Sequence, residues 1–204
     1  MLTSYLMSII FWTLLGFVLG AIPFAPLIGR RVLGKDITQF GDKNPGATNV
    51  LRAGGLGWFS LALVLDISKG ALPVGLAYQV YGWQGWEIIP IAVAPVLGHA
   101  FSPFLQGKGG KAIAAAFGVW IGLTLWQIPL VSMLLLILWS LLIKPSGWAV
   151  LITLFLLLPI IGFWLGDPVL LGVLVAHIAV LLIKQREELA TRPRFRFGNK
   201  TSKP

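Results

Sequence analysis

Apolar residues run along this chain in long blocks whose lengths suit a bilayer, and polar residues gather in the short gaps between them. The pattern predicts spans near 5–28, 57–80, 87–106, 112–127, 129–143, 148–165 and 168–183. The fourth and fifth have only about 15 residues each around Gln127-Ile128-Pro129, short of the ~20 that a straight crossing takes. That shortfall points to tilted, re-entrant or extended segments.

The gaps decide orientation. Seven crossings with the N-terminus outside place 29–56, 107–111, 144–147 and 184–204 in the cytoplasm, and those segments hold every Lys and Arg except Lys69. The opposite loops carry only Glu87 and Asp167, so the positive-inside rule favours this arrangement, and a six-span chain would move Lys144 outside. The expectation is an all-α integral membrane protein of about seven transmembrane helices, N-terminus outside and C-terminus cytoplasmic. It divides into a polytopic membrane domain over 1–183 and a basic cytoplasmic tail over 184–204.

Composition agrees. Of the 204 residues 57% are hydrophobic and 11% charged, where a soluble domain carries about a quarter charged. Apolar Met1 to Ile28 lacks a basic n-region and is followed by Arg30 and Arg31, which reads as a retained span rather than a cleaved signal. Trp58, Trp83, Trp86, Trp126, Trp139, Trp148 and Trp164 lie near span ends, as in interfacial belts. A net charge of +9 suits nucleic acid, anionic lipid or phosphorylated ligands. In a membrane protein lipid and phosphate come first, and no nucleic-acid partner is expected. The tail, with alternating Arg194-Phe195-Arg196-Phe197, is expected to lie against an anionic leaflet. With no Cys, disulfides, thiolate metal sites and a cysteine nucleophile are excluded.

Two cytoplasmic gaps are built unlike ordinary connectors. In the first, Gly41 to Gly55, Pro45 can open a short helix that the Gly54-Gly55 pair ends. Helical spacing then puts Asn44, Thr48 and Arg52 on one face with Asn49 beside them, a set able to hold a phosphate and orient hydroxyls. The same stretch would also serve as a capped turn near headgroups. The second gap, Gln106-Gly107-Lys108-Gly109-Gly110-Lys111, precedes the helix-forming run Ala112 to Ala116. Glycines there let backbone N–H groups converge on an anion in front of a helix N-terminus, and the lysines add charge. The alternative is a basic turn that satisfies topology alone. The spacing is not that of a Walker A loop.

Inside the spans, Asp66 and Lys69 can share one helix face and pair, as a structural or a catalytic couple. Intramembrane charge costs roughly 2.5–3.5 kcal/mol per residue at mid-helix on insertion scales, so both are expected to face protein or a wet cavity. His99 lies where it can reach the cavity of the second loop, and His177 reads as a structural histidine. The chain has no His followed five positions on by Asp, no Gly-x-Ser-x-Gly elbow and no zinc-spaced cluster; neither a metal nor a cofactor is expected.

At these same loops the chain resembles the bacterial acyl-phosphate:glycerol-3-phosphate acyltransferases. Asn44-Pro45-Gly46-Ala47-Thr48-Asn49-Val50-Leu51-Arg52 matches the family's first signature, and Asp66-Ile67-Ser68-Lys69-Gly70 matches its Asp-x-x-Lys-Gly element. Leu97-Gly98-His99 followed by Lys108-Gly109-Gly110-Lys111 is similar to the second. The resemblance runs from about Gly20 to Trp120, with matching span layout beyond. It implies transfer of an acyl group from acyl phosphate to glycerol 3-phosphate in a bacterial plasma membrane, yielding lysophosphatidic acid and phosphate. It also implies a catalytic set of Asn44, Thr48, Asn49, Arg52, Lys69 and His99, and a phosphate-binding set of Lys108, Gly109, Gly110, Lys111, Arg52 and Arg186.

The chain departs from the family at Asp42-Lys43, where Ser-Gly is usual, at Ala112 for Gly, at Ala115 for Thr, and at Gln185-Arg186-Glu187-Glu188. There only Arg186 remains of a His-Arg-x-Asn signature, and Glu188 would need a partner such as Lys184 or Arg192 beside a phosphate. These departures leave a second class open, a non-catalytic or transport protein that binds an anionic lipid or phosphorylated ligand in the same cavity.

Overall fold

The computed structural model describes residues 2–196. Helices occupy all seven predicted spans, and the chain divides into two compact units, Met1–Leu125 and Trp126–Pro204. The first unit contains α1 (Leu2–Ala21), α2 (Phe24–Arg31), a 3-10 turn Ile37–Gln39 and α3 (Ala47–Gly54). It continues with α4 (Leu56–Gly75), widening into a π turn at Leu76–Val80, then α5 (Ile88–Ala100), a 3-10 turn Pro103–Leu105 and α6 (Ile113–Thr124). The second unit contains α7 (Gln127–Leu142), β1 (Ile143–Lys144), α8 (Ser146–Ile160) with a π turn at Ile161–Leu165, α9 (Pro168–Leu189) and β2 (Arg194–Phe195).

Among the described residues, five helices are long and apolar enough to cross a membrane: Leu2–Arg31, Leu56–Val80, Ile88–Leu105, Ser146–Leu165 and Pro168–Leu189. The two spans expected to be short are short. Ile113–Thr124 has 12 residues and Gln127–Leu142 has 16, or about 18 and 24 Å against a hydrocarbon core of ~30 Å. The outward faces are apolar: Leu6, Ile10, Leu14 and Val18, four apart on α1, are 49%, 52%, 58% and 52% exposed. A row that an aqueous protein would bury is here turned outward toward lipid.

The predicted first span is broken. Pro23 has no N–H and restrains Ile22 before it, so the helix stops at Ala21 and restarts at Phe24. Carbonyls freed at the break are taken up from elsewhere: the Ser102 hydroxyl donates to Ala21 O at 2.6 Å and Lys69 Nζ to Ile22 O at 3.1 Å.

Small residues set the helix register in the first unit. A Cβ on Gly70 would lie 2.2 Å from Ala115 O, and one on Gly118 2.0 Å from Ile67 O, so α4 and α6 touch backbone to backbone. Gly20 and Gly98 do the same for α1 and α5, against Pro95 O and Phe17 O at 2.3 and 2.2 Å. In lipid, where apolar side chains gain little by associating, such close packing is a main source of helix adhesion. Asp66 and Lys69 stand beside one of these contacts and His99 beside the other.

In the second unit α9 runs past 183 to Leu189, and β2 pairs antiparallel with β1, Ile143 opposite Phe195 and Lys144 opposite Arg194. Of the expected basic tail, Phe197, Lys200 and Lys203 lie outside the described residues.

Candidate functional site

The first loop is built from its helix outward. α3 buries Ala47, Val50 and Ala53 in a small core with Ala25, Ile28, Ile37 and Ala62, and Lys35 Nζ caps its far end on Ala53 O at 2.8 Å. The helix begins after Gly46, not at Pro45, so Asn44 lies in the loop and shares no helical face with Thr48 and Arg52. Pro45 and Gly46 precede the first helical turn because Gly46, with extended φ and ψ, takes the N-cap position. Thr48 and Arg52 do share the exposed face, and Gly55 at φ +84° ends the helix as expected.

Asn49 is the centre of this loop rather than a neighbour of it. It is buried, donates through Nδ2 to Asn44 O at 2.8 Å and to Asp42 Oδ1 at 3.0 Å, and accepts Arg52 Nη1 at 2.6 Å. The backbone closes over that contact. Gly41 has φ +55°, and a Cβ there would lie 1.8 Å from Arg52 Nη1, a place that only glycine can take without displacing the guanidinium.

The second loop differs from the sequence expectation in one respect. Its N–H groups do not all converge on an anion: Gly107 N donates to Ser102 O, Lys108 N to Leu105 O and Gly110 N to His99 O, at 2.9, 2.9 and 3.1 Å. The glycines serve close approach instead. A Cβ on Gly109 would lie 2.0 Å from His99 O and one on Gly110 2.4 Å from His99 Nε2. The loop thus packs on the imidazole, while the Lys108 side chain stays exposed and α6 starts just beyond Lys111 with its positive end at the loop.

The two loops meet through a residue outside the expected site set. Lys111 Nζ contacts Asp42 Oδ2 at 2.6 Å, and Arg52 Nη1 stands 3.9 Å from Asp42 Oδ1. Burial alone would raise the Asp42 carboxyl. The hydrogen bond and charge of Lys111, with the Asn44 N–H and the Asn49 amide, hold it below the usual carboxylate range instead. Asp42 is the only acidic residue between Gly41 and Gly55. A lone carboxylate among Lys43, Arg52 and the loop amides was the available signal; its partner Lys111 was not readable locally.

Beneath the loops lies a narrow cleft, lined by Ile22, Pro23, Phe24, Pro45, Asp66, Lys69, His99, Ser102 and Gly110 among others. Lys69 Nζ pairs with Asp66 Oδ1 at 2.8 Å, both side chains 3% exposed, and His99 Nδ1 lies 3.9 Å from the same oxygen. The intramembrane charges therefore face protein and a polar cleft, the less costly arrangement. A wider apolar groove, lined by Ile22, Pro23, Pro26, Leu27, Phe104 and Leu105 with Arg30, shares Ile22, Pro23 and Leu105 with the cleft.

In the second unit Arg186 is exposed on α9 and His177 is fully buried. Glu188 finds its partners at the start of α8, accepting from the Ser146 hydroxyl at 2.8 Å and from the Gly147 N–H. A carboxylate at a helix N-terminus is favourable, so the start of α8 accommodates the acid.

Lipid-facing helices, a Pro-broken first span and a polar cleft buried among the spans define an all-α, multi-pass integral membrane protein. The chain belongs to the glycerol-3-phosphate acyltransferase family, whose model matches residues 10–192. It is 37% identical over 195 residues to a glycerol-3-phosphate acyltransferase of Desulfovibrio desulfuricans, covering 95% of this chain and 84% of that one. To the corresponding protein of Maridesulfovibrio salexigens it is 46% identical over 114 residues, 56% of this chain and 58% of that one. Among solved structures it is similar to PlsY (YgiH), an integral membrane glycerol 3-phosphate acyltransferase, in its glycerol 3-phosphate and lysophosphatidic acid forms. Each match has a TM-score of 0.79 at 29% identity and covers 90% of both chains.

Proposed function

We propose that this protein transfers a fatty acyl group from acyl phosphate to glycerol 3-phosphate, releasing lysophosphatidic acid and inorganic phosphate, in the plasma membrane of a bacterium. One observation carries the reading beyond family membership. Lys111 and Arg52, from the two signature loops, converge on one carboxylate above a cleft that holds Lys69 and His99. Two phosphate-bearing substrates need two adjacent cationic positions, and the glycerol 3-phosphate and lysophosphatidic acid forms of the similar PlsY structures support glycerol 3-phosphate as one of those substrates.

In this reading Arg52, held by Asn49, takes the phosphate of glycerol 3-phosphate, with Asn44 and Thr48 orienting its glycerol hydroxyls. Lys108 and Lys111 take the donor phosphate beside Gly109 and Gly110, at the positive end of α6. The donor's acyl chain lies in the apolar groove of Leu27 and Phe104, which runs into the cleft through Ile22, Pro23 and Leu105. The acceptor hydroxyl oxygen attacks the acyl carbonyl carbon, the bond from that carbon to the phosphate oxygen breaks, and the departing phosphate accepts the proton. Lys69 supplies positive charge to the developing oxyanion, and His99 supplies a hydrogen-bonding group across the cleft. The mixed anhydride is already activated, so positioning and charge stabilisation can carry much of the acceleration.

Purified protein incubated with acyl phosphate and glycerol 3-phosphate tests this. Lysophosphatidate formation with stoichiometric phosphate release is expected; binding of either ligand without turnover would establish the non-catalytic class instead.

A further inference from the structure

We propose that Asp42 is a positioning residue of the phosphate site: its carboxylate holds the Lys111 ammonium, fixes the orientation of the Asn49 amide, and through that amide sets the Arg52 guanidinium. The inference rests on the acyltransferase reading, in which Lys111 and Arg52 receive substrate phosphate.

The two carboxylate oxygens do different work. Oδ2 takes Lys111 Nζ at 2.6 Å, while Oδ1 accepts Asn49 Nδ2 at 3.0 Å and the Asn44 N–H at 3.3 Å. An ionised carboxylate only accepts, so the Asn49 amide must turn its nitrogen toward Asp42 and its oxygen away. That oxygen then meets Arg52 Nη1 at 2.6 Å, and a guanidinium only donates. The chain from Lys111 through Asp42 and Asn49 to Arg52 therefore has one consistent assignment of donors and acceptors. A hydroxyl or amide at position 42 could either donate or accept, which would leave Asn44 O as the one remaining acceptor-only partner holding the Asn49 nitrogen in place.

The consequence is preorganisation. The Arg52 and Asp42 side chains are 47% and 42% exposed, so packing alone does not hold them. Long exposed cationic side chains lose rotamer freedom when they bind a phosphate, and fixing them beforehand removes that cost from binding. The carboxylate also offsets repulsion between Lys111 and Arg52, letting both stand within 4.0 Å of one group.

The test uses full-length protein carrying Asp42→Asn, Asp42→Ser, Asp42→Glu, Lys111→Ala, or Asp42→Asn with Lys111→Ala. Steady-state kinetics and calorimetric binding of glycerol 3-phosphate are measured, with thermal unfolding as the check on folding. Asp42→Asn and Asp42→Ser are each expected to raise the glycerol 3-phosphate KM about tenfold while kcat changes less than threefold, and Asp42→Glu to recover most of the loss. The double variant should raise the acyl-phosphate KM by less than the product of its two single effects, since both act on the donor phosphate through one contact. Unchanged or tighter binding in the Asn and Ser variants, or fully multiplicative effects, would overturn the assignment. If wild-type protein neither turns over nor binds glycerol 3-phosphate, the acyltransferase reading has failed. Inorganic phosphate then serves as the probe: weaker binding in Asp42→Asn than in wild type still supports the positioning role, and equal or tighter binding overturns it.

Discussion

A Cβ on Gly41 would stand 1.8 Å from Arg52 Nη1, so the first loop closes its backbone directly over the guanidinium that we assign to the acceptor phosphate. Gly41 also holds φ +55°, which costs an L side chain about 1–2 kcal/mol. Gly41→Ala should therefore lower stability by about that amount, seen as a reduced thermal midpoint, and displace the flexible end of Arg52. The glycerol 3-phosphate KM is expected to rise about tenfold, in line with a weakened charged hydrogen bond. Stability loss with an unaltered KM would show that the guanidinium does not serve the acceptor.

Arg52→Lys separates a fork from a point charge. Lysine keeps the charge but lacks the planar pair of donors, so it cannot hold the Asn49 oxygen and grip a phosphate at once. The expected result is a rise of about ten- to a hundredfold in acceptor KM, corresponding to about 1.5–3 kcal/mol, with donor KM within about threefold. An acceptor constant that does not move would mean that Arg52 only anchors the loop to headgroups.

Lys108→Ala and Gly110→Leu should fail in different ways. Lys108 is exposed, and its loss is expected to raise the acyl-phosphate KM about tenfold while leaving thermal stability within about 0.5 kcal/mol. The Leu side chain at 110 would begin 2.4 Å from His99 Nε2, so kcat should fall along with donor use. Near-normal donor KM and turnover in both variants would remove this loop from the phosphate site.

The groove beside the cleft predicts chain-length selection. Leu27→Trp adds bulk to a wall formed by Pro26, Leu27 and Phe104 and should shift preference toward shorter acyl phosphates. The ratio of kcat/KM for a short and a long donor is the measurement, with a shift of about tenfold expected for a few methylenes excluded. An unchanged ratio would place the acyl chain elsewhere.

Cysteines introduced at the exposed position 108 and near 190 into this cysteine-free chain test the orientation. With the basic segments cytoplasmic, both should react with a membrane-impermeant reagent only after the membrane is opened or from the cytoplasmic face. Labelling of position 108 from outside alone would reverse the topology.

Much of the membrane architecture was legible along the chain because span length, small residues and basic clusters are local properties. The shortness of 112–127 and 129–143 was visible in this way, and so was the end of α3 at Gly54-Gly55, since a cap at φ +84° and ψ −174° needs glycine whatever surrounds it. The start of α3 was misjudged by two residues: Pro45 is compatible with a first helical turn, but Gly46 in extended backbone takes the cap, and Asn44 is left in the loop.

The sequence by itself determined a multi-pass helical protein, the pairing of Asp66 with Lys69 within one helix, and two loops rich in groups that bind oxyanions. Tertiary structure alone decided which groups face one another. Lys111 meets Asp42 across 69 positions because glycine contacts hold α4 against α6 and α1 against α5 at fixed heights, and neither residue carries a local mark of the other. The same contacts bring Gly109 and Gly110 onto His99, turning N–H groups that could have held an anion toward a carbonyl instead. Glycine spacing announces that backbones can approach closely. Only the packed helices decide whether a ligand, a carbonyl or an arginine takes the space.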